Sequence, residues 1–74
     1  MSQWPATSAK KVYRALLRIG WREKQRISSS GSHRQLQHLD YPYEYTWAFH
    51  DSDDIGPAML AKIAKRTGLK PDDL

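Results

Sequence analysis

Between residues 43 and 49 aromatic and other side chains alternate without a break, Tyr43, Tyr45, Trp47 and Phe49 against Glu44, Thr46 and Ala48. A period of two suits a strand with one face buried and the other wet, and no single stripe of a helix can gather such a set. A chain carrying this segment has to build a sheet and cover one face of it. Length limits how that is done. With 74 residues and no cysteine there is room for one domain, which buries only about 60% of its unfolded surface. Neither a disulfide nor a thiolate metal site can reinforce it. Support must come from helix caps, from an aromatic-rich core (three Trp, four Tyr and one Phe) or from a bound partner.

The covering elements read as two helices. Ser8 is a candidate N-cap and Gly20 a C-terminal stop, with Val12, Ala15, Leu16 and Ile19 on one face, Tyr13 and Leu17 widening it, and Lys10, Lys11, Arg14 and Arg18 largely on the other side. Pro57 fits a first helical position, Leu60, Ile63 and Ala64 with Met59 form a second buried stripe, and Gly68 closes it, with Leu69 folding back. Asp53 and Asp54 precede this helix and suit its positive end. Between the helices lie a basic strand from Trp21 to Ser29, a turn at Ser28-Ser29-Ser30-Gly31, a return strand from Ser32 to Leu39, a turn at Asp40 to Pro42, and the aromatic strand. Residues 1–7 read as a lead-in, with Trp4-Pro5 tucked against the fold. The order predicts a two-layer α+β sandwich, α-β-β-β-α, in one domain over residues 1–74: a three-stranded antiparallel sheet with both helices on one face and the other face open.

Twelve Lys and Arg against eight Asp and Glu leave a net charge of +4, unevenly placed. From Lys10 to Arg34 every charged residue except Glu23 is basic; from Glu44 to Asp54 every one is acidic; Lys62, Lys65 and Arg66 return to basic. Such blocks suit phosphate on part of the surface, and equally a solvated face with a charge excess. No apolar run approaches the ~20 residues of a membrane span, and the first residues lack the regions of a signal peptide, so the cytoplasm is the expected compartment.

His33, His38 and His50 are the candidates for chemistry. His33 and His38 stand five apart, on opposite faces of a strand, and no HExxH pattern or cysteine joins them, so no metal site is expected. No nucleophile-elbow or phosphate-loop pattern occurs. RNA, however, carries its own nucleophile in the 2′-hydroxyl. A neutral imidazole can take that proton near neutral pH, and basic side chains can stabilise the phosphorane-like transition state. His33, in Gly31-Ser32-His33, has Arg34, Lys24, Arg26 and Arg22 near it in sequence, and Ser32 and its neighbours could offer backbone N–H groups to a phosphate. His50 is a candidate second acid or base, or an exposed strand end. His38 reads as a surface strand residue. Tyr43 and Tyr45 could stack on bases or pack in the core, where Trp47 and Phe49 belong.

The helix ending in Leu17-Arg18-Ile19-Gly20-Trp21, followed by Gly31-Ser32-His33, His50, Ile55-Gly56-Pro57 and Leu60-Ala61-Lys62-Ile63 through Gly68-Leu69, resembles the HicA family, small toxins of bacterial and archaeal toxin–antitoxin pairs. The resemblance runs from about Ser8 to the C-terminus. It implies a fold like the double-stranded-RNA-binding domain and a ribosome-independent mRNA interferase that needs no metal or other cofactor. It also implies neutralisation by a HicB-like antitoxin and a catalytic role for His33. Two features depart from the family pattern. The Trp21–Gly31 segment is long, and His50 is followed by Asp51 and Ser52 where two glycines are usual, with Ala48 in the place of a frequent proline. A non-catalytic module for structured RNA, using Lys62, Lys65 and Arg66 on phosphates, is the second reading, and a domain that only receives a protein partner is the third.

Overall fold

Ser8 starts the first helix. In the computed structural model, which describes residues 4–24 and 34–74, Ser8 has an extended backbone and its Oγ accepts the Lys11 N–H at 3.4 Å, capping α1 (Ala9–Arg18). Two further N-terminal donors of this helix are met from far along the chain. Ala9 N–H donates to the Asp53 carbonyl at 2.8 Å and Lys10 N–H to the Asp51 carbonyl at 3.4 Å. The acidic loop therefore closes α1, where the sequence had suggested that Asp53 and Asp54 serve the second helix. The cause is a short antiparallel ribbon, β1 (Thr7–Ser8) with β5 (Asp54–Ile55), in register Thr7↔Ile55 and Ser8↔Asp54. Thr7 is thus a buried strand residue and no part of a lead-in, while Trp4 packs against the core as expected.

α1 ends in a tight turn. Gly20 N–H donates to the Leu17 carbonyl at 3.3 Å and Trp21 N–H to that of Leu16 at 3.1 Å. Gly20 has φ +113°, and a Cβ there would lie 2.5 Å from His38 Nε2. Gly20→Ala should therefore destabilise the fold by about 1–3 kcal/mol, read as a lower urea midpoint at unchanged slope.

The main sheet has the order β2-β3-β4, all antiparallel, with β2 at Arg22–Glu23, β3 at Arg34–Gln37 and β4 at Tyr45–Trp47. The register sets Arg34 opposite Trp47, Gln35 opposite Thr46 and Leu36 opposite both Tyr45 and Glu23. Leu36 and Trp47 are fully buried beneath the helices, and Gln35, Gln37 and Thr46 line the open face. This is the α+β sandwich read from the sequence. The alternation of burial holds from Tyr43 to Phe49 although only its centre forms a ladder. The return strand stops at Gln37, short of Leu39, because residues 38–41 form a turn: Tyr41 N–H donates to the His38 carbonyl at 3.2 Å, and Leu39 stands fully exposed.

α2 (Pro57–Thr67) has Pro57 in its first turn and buries Leu60, Ile63 and Thr67. Met59, expected in this stripe, is 40% exposed; one residue before Leu60 is about 100° away around the helix. Gly68 closes α2 with φ +77°, its N–H donating to the Ala64 carbonyl at 2.9 Å, and Leu69 folds into the core. A 3₁₀ turn (Pro71–Asp73) follows, its Asp73 carbonyl accepting from the Arg18 guanidinium. The β1–β5 ribbon brings the starts of the two helices together. At their far ends Trp21 Nε1 donates to the Thr67 carbonyl at 3.0 Å. The helices therefore run side by side in the same direction. Trp21, fully buried, is the hub at that end, with the rings of His38 and Tyr41 at 5.1 and 5.0 Å.

Candidate nucleic-acid interface

Gly31-Ser32-His33 and Arg26 lie outside the described residues. The other two histidines differ sharply. A backbone carbonyl can only accept and a backbone N–H can only donate. His38 Nε2 lies 2.9 Å from the Ile19 carbonyl and Nδ1 accepts the Asp40 N–H at 3.0 Å. Only the neutral tautomer with its proton on Nε2 satisfies both. With its ring also against Trp21 and Tyr41, His38 is a structural residue of the α1–β2 and β3–β4 turns, not the surface strand residue the sequence suggested.

His50 is exposed, just beyond β4. Its backbone N–H donates to Asp53 Oδ2 at 2.8 Å and its carbonyl accepts the Asp53 N–H at 2.9 Å. Neither ring nitrogen makes a hydrogen bond among the described residues. Among those residues none but glycine has a positive φ, so the Asp51-Ser52 turn has no conformational need for the usual glycines. Also among the described residues, no group of three His, Asp or Glu side chains gathers as a metal site would require.

The basic candidates divide between faces and ends of the sheet. Arg34 is on the helix-facing side. Its guanidinium carbon sits 5.0 Å from the centre of the Tyr13 ring, and its Nε is 4.0 Å from Glu23 Oε1. Tyr13 Oη donates to the other Glu23 oxygen at 3.1 Å. Burial, then the charge and hydrogen bond of Glu23, raise the Tyr13 phenol above its usual pKa against the opposite pull of Arg34. Lys24 belongs to the open face, where its Nζ pairs with Glu44 at 2.8 Å. With both side chains about half exposed, that pair contributes little stability. Arg22 is committed to the end of α1, donating to the Leu17 and Trp21 carbonyls at 2.8 and 3.0 Å.

Lys62, Lys65 and Arg66 are exposed at helical spacings of three and four, on one face of α2. Arg66 lies over the Tyr43 ring at 4.8 Å, and Tyr43 Oη donates to the Arg66 carbonyl at 2.7 Å. Burial raises the pKa of the neighbouring Tyr45 phenol, with Arg66 acting the other way. Tyr43 and Trp47 are separated by roughly 13 Å of extended chain. Arg66 and Arg34 therefore mark opposite ends of β4. Arg34 shares its end with His50, Phe49 and the acidic loop, and the chain on both sides of residues 25–33 lies there too, since Lys24 N–H donates to the Gln35 carbonyl at 2.8 Å. A depression of about 520 Å³ between Ile19, Arg22, His38 and Leu39 lies at the other end of the β2–β3 ladder.

Sequence reasoning missed the Tyr13–Glu23–Arg34 cluster. The signal was present in Glu23, the one acid within a basic tract, and in Tyr13, a helix residue whose hydroxyl needs a polar partner when its ring is half-buried.

Two helices over a three-stranded antiparallel sheet, in the order α-β-β-β-α, define a small α+β domain with a fold like that of the double-stranded-RNA-binding domain. The chain belongs to the family described as the HicA toxin of bacterial toxin-antitoxin, whose model matches residues 9–69. The match runs from the first residue of α1 to Leu69, spanning both helices and the sheet and leaving β1 and the final turn outside. No curated protein matches the chain. Among the described residues no helix is long and apolar enough to cross a membrane.

Proposed function

We propose that this toxin is a metal-independent endoribonuclease that cleaves mRNA, with His33 as general acid/base, and that a HicB-like antitoxin holds it inactive. The observation that carries the reading is the family match across the whole sheet and both helices, together with Gly31-Ser32-His33 immediately before Arg34. Placement of Arg34 and His50 at one end of the sheet supports it. In the proposed reaction the His33 imidazole takes the 2′-hydroxyl proton. The 2′-oxygen then attacks the adjacent phosphorus, and the 5′-oxygen leaves with a proton, for which His50 is the candidate donor. Arg34, with Lys24, Arg26 and Ser32 as further candidates, would meet the negative charge of the crowded phosphate.

The test is to incubate purified protein with RNA in EDTA and to analyse the ends. Cleavage leaving 2′,3′-cyclic phosphates is the expected result. Intact RNA, bound in a manner that falls steeply with salt, would replace this reading with a non-catalytic RNA module, which the exposed Lys62, Lys65 and Arg66 face of α2 favours.

A further inference from the structure

Three elements converge on one guanidinium. Tyr13 comes from α1, Glu23 from β2 and Arg34 from the first position of β3. Glu23 reaches both of the others: Oε2 accepts the Tyr13 hydroxyl at 3.1 Å, and Oε1 stands 4.0 Å from Arg34 Nε. Tyr13 also packs its ring against Trp47 at 5.6 Å, so the platform beneath Arg34 is anchored to the core. A guanidinium held over a ring face keeps N–H donors available to an anion and loses less freedom when one binds. The carboxylate is near enough to steer the guanidinium and too far to form a hydrogen bond with it. Lys24 differs, its ammonium closed onto Glu44 at 2.8 Å.

We infer that Tyr13 and Glu23 are positioning residues that hold Arg34 as a phosphate-contacting arginine, set against the end of the sheet where His50 lies. The inference rests on the reading of this protein as RNA-directed and adds two residues to it. It accounts for the single acid in the basic tract: Glu23 orients the arginine and contributes no attraction to RNA of its own.

The test measures affinity for a single-stranded RNA probe in EDTA, with His33→Ala as the background so that the probe stays intact. Arg34→Ala should flatten the slope of log K against log salt by about 0.7, the share of one single-strand phosphate, whereas Arg34→Lys should keep the slope. Tyr13→Leu should weaken binding about two- to fivefold, and the loss should vanish when Arg34 is already alanine; a merely structural role would cost the same in both backgrounds. Glu23→Gln decides by its sign. If Glu23 only repelled phosphate, removing its charge would tighten RNA binding; because Glu23 orients Arg34, weaker binding is expected. An unchanged slope for Arg34→Ala, tighter binding by Glu23→Gln, an uncoupled Tyr13→Leu, or no RNA binding at all overturns the inference. Parallel assays of the wild-type protein separate the two ideas: intact RNA with the slope change present removes the nuclease and leaves the arginine contact standing.

Discussion

His33→Ala is expected to abolish RNA cleavage and growth inhibition while leaving a folded protein that still binds its antitoxin. General acid–base catalysis supplies about 10²–10⁴-fold in rate, so loss of the imidazole should drop cleavage below detection in most assays. The informative control is His38→Ala. Both ring nitrogens of His38 are occupied, by the Ile19 carbonyl and the Asp40 N–H, so its removal should cost stability and leave the rate per folded molecule unchanged. Cleavage by each variant, scaled to its folded fraction from circular dichroism, separates the two roles. A His33→Ala protein that remained fully toxic would refute the mechanism.

The largest effect on stability is expected at Trp21. Truncating a fully buried tryptophan to alanine costs about 3–5 kcal/mol, while a chain of this length commands roughly 4–11 kcal/mol in all. Trp21→Ala should therefore leave a substantial unfolded fraction at 37 °C. A finer comparison uses phenylalanine. Trp21 Nε1 donates to the Thr67 carbonyl at 3.0 Å, tying the end of α2 to the hub. Trp47, equally buried, has an Nε1 with no hydrogen-bond partner among the described residues. Trp21→Phe removes a hydrogen bond and Trp47→Phe removes none, so the first should cost about 1 kcal/mol more than the second. Equal urea midpoints would show that the Trp21 bond contributes nothing net.

Much of this architecture was legible because the relevant signals are local. The alternation of Tyr43 to Phe49, the cap at Ser8, Pro57 opening a helix and Gly68 closing it depend on residues near one another in sequence, and each was found as read. The misreadings share a different origin. Asp53 and Asp54 were assigned to the helix next to them in sequence, whereas the β1–β5 pairing carries their loop to α1. His38 looked like a surface strand residue because the contacts that fix it come from the α1–β2 turn and from Trp21. Tyr13 and Glu23 carry no motif, and only the packing of α1 on the sheet brings them to Arg34. Residue types and charge left a phosphate-binding face and a merely solvated one both open, while the division of the basic residues between two faces and two ends of the sheet depends on strand register.

The closure of α1 by the acidic loop has a kinetic consequence. Its N-terminal donors wait for Asp51 and Asp53, its preceding strand waits for Asp54 and Ile55, and Arg18 near its other end waits for Asp73. This helix is thus completed at both ends by residues far from it in sequence. Contacts so distant in sequence slow folding relative to a helical bundle of the same size. They also mean that α1 is only a fraying segment until Asp51, Asp53, Asp54, Ile55 and Asp73 have been brought to it.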